Sequence, residues 1–176
     1  MNKYIIFLAL IFQTSLLGAA EFRINISGIN GTALKPVSAS EGVVLQQANW
    51  LKKNKDRTLS CNVETTKEWK QYSFSFMPKK SGKYTISIMS GRDKVFASCD
   101  EITIEGATLK NGNFEELNDK GEPLFWIKMK NPRISSSGGV NDSKFVTTAH
   151  NDRWSQIITC TKDQTVTVTF YVRENQ

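Results

Sequence analysis

"QYSFSFMPKKSGKYTISIM", residues 71–89, decides the fold class. In its first half Tyr72, Phe74 and Phe76 alternate with Gln71, Ser73 and Ser75; in its second, Tyr84, Ile86 and Ile88 alternate with Thr85 and Ser87. An apolar period of two is that of a strand with one buried face. The intervening "PKKSG" is turn chemistry, so residues 69–90 are expected to form a hairpin. The same period recurs in "EFRINISGI" (21–29), "DEITIEG" (100–106), "SQIITC" (155–160) and "TVTVTFYVRE" (165–174). Only "GVVLQQANWLKKN" (42–54) hints at a helix, against the β-branched Val43 and Val44. Half-buried alternating strands need a second sheet to cover them, so the expected fold is all-β, an antiparallel β-sandwich.

The first twenty residues read as an address. A single positive charge at Lys3, the apolar "YIIFLALIF" and the small residues Gly18-Ala19-Ala20 have the order of a secretory signal peptide, with cleavage expected after Ala20. The apolar run is short of the roughly 20 residues that a bilayer span needs, so no membrane span is expected after cleavage. The expected location is secreted, periplasmic or cell-surface.

The formal net charge is +6 and mild. Lysines gather in loop-like places, "LKKNKDR" and "MPKKSGK", and no basic helix or arginine stripe is present, so nucleic acid is not an expected partner. The charge is compatible with a loose preference for acidic surfaces or polyanionic glycans. Cys61, Cys99 and Cys160 are an odd number in an exported chain. Cys61 with Cys99 is the first pair to test, against the alternative that all three are buried small apolar residues.

The segment from Trp69 to Glu105 runs aromatic residue, alternating strands, turn, then "CDEITIEG". It resembles the closing half of the galactose-binding-like jelly rolls that include many carbohydrate-binding modules. "LKNGNFEE" (109–116), with Pro123 and Trp126 after it, resembles the start of the same modules, and "RWSQIITC" with "TVTVTFYVRE" resembles their middle strands. The resemblance covers most of residues 65–176. A closing half thus precedes an opening half. Two arrangements follow: tandem modules at 21–106 and 107–176, the second incomplete, or one merged, permuted sandwich in which residues 107–176 pair with strands from 65–105.

The resemblance implies glycan or cell-surface polysaccharide as ligand, and a structural calcium with ligands from Glu115 or Glu116 and from Asp100. Calcium favours such hard oxygens, but the two halves of that site meet only in the merged arrangement. Sugar recognition would use aromatic rings with neighbouring hydrogen-bonding groups. Trp154, ringed in "HNDRWSQ" by Asn151, Asp152, Arg153 and Gln156, is the leading candidate, with Trp50 second; Trp69 and Trp126 read as core. Trp154→Ala is then expected to abolish binding without unfolding the protein. "SSSGGVNDS" (135–143) reads as a mobile rim to such a site.

Catalysis has little support. His150 is the sole histidine, in "TAHNDRW", with no nucleophile elbow nearby. The neighbouring acids Glu115-Glu116 and Asp100-Glu101 point to opposite faces of a strand, whereas a glycosidase needs its pair across a cleft. The expected function is a non-catalytic, carbohydrate-binding-like module. The alternative is a structural, adhesion or protein-interaction sandwich without a sugar site.

Overall fold

The computed structural model describes residues 20–29, 33–47, 58–91 and 95–175. Twelve strands are described: β1 (Glu21–Gly28), β2 (Leu34–Ala39), β3 (Val43–Gln47), β4 (Thr58–Glu64), β5 (Lys70–Pro78), β6 (Gly82–Ser90), β7 (Ala97–Glu105), β8 (Ile127–Met129), β9 (Arg133–Ser135), β10 (Phe145–Thr148), β11 (Arg153–Cys160) and β12 (Val166–Glu174). They form two antiparallel six-stranded sheets. Sheet A has the order β3-β4-β1-β6-β11-β8, and sheet B the order β2-β5-β12-β7-β10-β9. Only the single 3-10 turn Val140–Asp142 is helical among the described residues, and no helix there is long and apolar enough to cross a membrane. The signal-peptide reading of residues 1–20 falls outside the described residues except at Ala20.

The alternation read from the sequence sets the inner faces. Phe22, Ile24 and Ile26 of β1, Tyr84, Ile86 and Ile88 of β6, and Trp154 and Ile158 of β11 point inward from sheet A; Phe74, Phe76, Val168, Phe170 and Val172 meet them from sheet B. Phe170 is the hub, with ring centroids of Phe22, Tyr72 and Phe74 at 5.8, 6.1 and 6.3 Å. Each such side chain contributes about 1.5–3 kcal/mol by burial.

The expected hairpin over 69–90 is a correction. Both strands form, but β5 pairs with β2 and β12 in sheet B, while β6 pairs with β1 and β11 in sheet A. The "PKKSG" turn is an arch between the sheets, and the two apolar faces look at each other across the core. Val43–Gln47, in the stretch that hinted at a helix, is strand β3, as its β-branched start favours.

The two halves of the chain interleave. β11 lies between β6 and β8, and β12 is inserted between β5 and β7. Residues 21–106 and 107–176 therefore share both sheets, and the arrangement is the merged sandwich, not two separate ones.

Candidate functional site

β7 carries a bulge at its centre. Tyr171 pairs with Asp100 and Thr169 with Thr103, so Glu101 and Ile102 stand opposite Phe170 alone. Glu101 adopts φ 49° to make the kink. The displaced Ile102 N–H donates to Gly112 O at 2.9 Å, which docks the "KNGNFEE" segment on the sheet. Gly112 is tight against Ile102 O, so a side chain there would overlap backbone. Asn111 then ties the segment together: its amide donates to Glu116 O and Leu124 O at 2.8 and 3.1 Å, and its carbonyl O accepts the Trp126 indole N–H at 2.9 Å. The motif that resembled a module opening is thus a structural knot, with Phe114 against Trp126 at 5.2 Å.

The merged fold does bring Asp100 and Glu115 to one corner, through consecutive residues of one loop. Asp100 is fully buried; Oδ2 accepts Val140 N–H and Ser143 O–H at 2.8 and 2.6 Å, and Oδ1 accepts Glu101 N–H at 2.7 Å. Glu115 accepts the Lys144 N–H and the Lys144 ammonium, each at 2.7 Å. Burial raises the Asp100 carboxyl above its ordinary range, and the bonds from Lys144 hold Glu115 below its own. Glu101 is raised by burial and by the charges of Asp100 and Glu115. This donor set does not fit the expected calcium. The Asp100 and Glu115 oxygens already accept protein donors, an ammonium fills the cation's role, Glu116 is exposed, and no three metal-ligating side chains meet among the described residues.

The same corner pins the stretch 135–143, which read as a mobile rim. Besides the Asp100 bonds, Gly138 O accepts the Trp69 indole N–H at 3.1 Å, and a Cβ at Gly139 would lie 2.5 Å from Asp100 Oδ2. Arg173 lies over the rings of Trp69 and Phe145 at 4.6 and 5.0 Å. Together these roof the outer face of sheet B.

The sequence-selected sugar residues separate. Trp154 is 1% exposed and its indole faces the core, so it offers no ring to a ligand; its Nε1 has no hydrogen-bond partner. Gln156 is also buried. Its amide donates to Lys110 O at 2.9 Å and accepts Lys110 N–H at 2.8 Å, imitating a strand pair. Asn151 is exposed in the turn before β11. Trp50 lies outside the described residues. Arg153 alone of the set reaches the outer face of sheet A. The three cysteines are buried free thiols, with no Cys61–Cys99 bond, and burial pushes each upward, Cys160 to about 11.

That outer face has a feature the sequence did not disclose. Strand register places Gln46, Ser60, Asn25, Ser87, Ser155 and Ile127 in one row across all six strands. Beside it runs a row of longer side chains: Val44, Asn62, Arg23, Met89, Arg153 and Met129. The first row is a trough. Ser60 and Ser155 face outward yet are only 7% and 5% exposed, because their taller neighbours stand over them. Its floor is cross-linked, Ser60 O–H to Asn25 Oδ1 at 2.7 Å and Ser87 to Ser155 at 2.8 Å. Six strands at about 4.8 Å spacing make it roughly 24 Å long. At the β3 end it opens into a groove of about 680 Å³ lined by Glu21, Arg23, Gln46, Asn62, Lys70 and Tyr72. At the β8 end stand the exposed Ile127, Met129, Ile157 and, two residues upstream of Ile127, Phe125. The trough could be found only by setting strands from both halves of the chain side by side.

Comparisons of the chain with protein-family models, with curated proteins and with solved structures find no match.

Proposed function

We propose that the protein is an exported, non-catalytic module that binds glycan or cell-surface polysaccharide in the trough across sheet A. The observation that carries this reading is the row Gln46–Ser60–Asn25–Ser87–Ser155: small hydroxyl and amide groups set below a rim, at the spacing of strands. An extended chain of sugar rings presents hydroxyls at intervals along its length, and such groups pair with short polar side chains while apolar rim residues cover the ring faces. Arg23 is held ready at one end, its Nε donating to Asn62 Oδ1 at 2.5 Å and its Nη2 to Glu21 Oε1 at 3.0 Å. The resemblance of residues 65–176 to carbohydrate-binding jelly rolls points the same way.

The test is binding of residues 21–176 to an immobilised glycan panel, with and without calcium, for the native protein and for Ser87→Phe. That substitution fills the middle of the trough from the solvent side. Selective binding that falls at least about tenfold in Ser87→Phe, a change of about 1.4 kcal/mol, with an unaltered melting temperature, is the expected outcome. A folded protein that binds no glycan, or binds equally well with the trough filled, sinks the reading.

A second reading has its own observation. The edge strands β3 and β8 carry exposed Val44, Ile127 and Met129, and an uncovered apolar edge is a place for another protein to add a strand. A spacer or adhesion role would leave Ser87→Phe silent and make Ile127→Lys the damaging change.

A further inference from the structure

The described arginines differ in one respect. Arg23 pairs with Glu21 at 3.0 Å, and Arg133 and Arg173 lie over aromatic rings, Arg133 over Phe96 at 5.2 Å. Arg153 has neither arrangement among the described residues. Its Nε donates to the thioether of Met129 at 2.9 Å, a weak acceptor. Among the described residues the remaining guanidinium donors meet no protein acceptor, and no carboxylate lies within ion-pair distance. The preceding Asp152 is engaged elsewhere, Oδ1 accepting Asn131 N–H at 3.3 Å.

Its surroundings on the outer face are neutral. Register gives Arg153 the neighbours Met129 on β8 and, through β6, Met89; the trough residues beside it are Ser155 and Ser87. The described acids of this face, Glu21 and Glu64, pair with each other in register on β1 and β4, next to Arg23 and two and three strands away from β11. Half-buried against the trough, Arg153 is thus, among the described residues, a cation without a counter-charge beside a floor of hydrogen-bonding groups. A guanidinium presents paired donors in a fixed fork that matches a two-oxygen anion.

We infer that the ligand is an acidic polysaccharide, and that Arg153 reads the anionic group of one of its sugars, a carboxylate or a sulfate ester. The inference rests on the glycan reading of the trough and narrows it to a substrate class. The neutral stretch of the trough takes hydroxyls, and Arg153 fixes the register of the chain along it.

The experiment uses four polymers in two matched pairs: polygalacturonate with its methyl ester, and dextran sulfate with dextran. Each is titrated against the native protein, Arg153→Gln, and Lys35→Gln, which removes an equal charge from the exposed strand β2 of the opposite sheet. The expected result is at least tenfold tighter binding of a charged polymer than of its neutral partner. Arg153→Gln is expected to lose that preference and Lys35→Gln to keep it. Preference for polygalacturonate alone assigns a carboxylate, and for dextran sulfate alone a sulfate. Equal losses in Arg153→Gln and Lys35→Gln would mean unspecific attraction to net charge and overturn the inference. Equal binding of charged and neutral polymers would overturn it too, leaving the glycan reading intact; a folded protein that binds no polymer here and nothing on the wider glycan panel ends both.

Discussion

The outer faces of sheets A and B start from the same pattern, polar side chains at every second position, and reach different ends. On sheet B the loop 135–144 folds down over β7 and β12, tied by Asp100, Glu115 and Trp69 and packed against Phe145 and Arg173. On sheet A no such roof is present among the described residues. The serines and asparagine of the trough bond one another across strands. Sequence motifs cluster under the roof; the open face carries none. The difference separates two jobs that a sandwich must do, holding its layers together and presenting a surface.

Substitutions should therefore split sharply between these regions. The largest effect is expected from Trp154→Ala, which empties a fully buried ring site at a cost of about 3–5 kcal/mol and lowers the melting temperature by roughly 10 °C or more. Trp154→Phe removes the unpartnered indole N–H along with part of the ring, and burial of such an orphan donor costs about 1–3 kcal/mol, so it should stay within about 1 kcal/mol of the native protein. Retained stability in Trp154→Ala would mean the ring is not core and would reopen it as a ligand platform. Differential scanning calorimetry decides the matter.

Next is Asp100→Ala, which strands the N–H groups of Val140 and Glu101 and the Ser143 hydroxyl, for a loss of about 2–3 kcal/mol. Limited proteolysis should then cut within 136–143, where the native protein resists. Native-like resistance in Asp100→Ala would show that the roof is held by other contacts.

The smallest effect belongs to Lys144→Gln. Glu115 is more than a third exposed, so the pair is screened and contributes well under about 1 kcal/mol. Its sign with pH is fixed. The folded Glu115 carboxyl lies below its ordinary value, so the pair stabilises above the unfolded pKa of about 4.3 and that contribution is lost as pH falls through the lower folded value. Asp100 has the opposite sign, since burial raises it and protonation relieves the penalty. The gap in melting temperature between the native protein and Lys144→Gln should be present at pH 7 and close on acidification. A gap that widens in acid would contradict the assignment.

Much of the fold was legible because burial writes itself into the chain at period two. Residues 21–29, 100–106, 155–160 and 165–174 all lie largely in strands with most of their apolar positions inward, Ile157 being the clearest exception. Which strands pair was not legible. "PKKSG" has the composition of a hairpin turn, and nothing local distinguishes a hairpin from an arch that carries the chain across the core. Trp154 misled for a related reason. Its polar neighbours in sequence, Arg153 and Gln156, suggested a wet site, but strand alternation turned Trp154 inward, and Gln156 bonds the Lys110 backbone beneath the surface. The trough escaped notice because its row is perpendicular to the chain: Gln46, Asn25, Ser87 and Ser155 are ordinary strand residues until six strands are aligned.

The insertion of β12 between β5 and β7 has a consequence for how the molecule comes to exist. Sheet B cannot close until residues 166–174 are available, since β5 and β7 have no pairing with each other without them. As the chain is synthesised, the first hundred residues must wait with unsatisfied strand edges, and nearly every strand pair then forms across a long sequence separation. Such topologies have high contact order and fold slowly, on the millisecond-to-second side of the range. A chain that stays open until its last strand arrives exposes apolar strands meanwhile, which makes a holding chaperone the natural safeguard against aggregation.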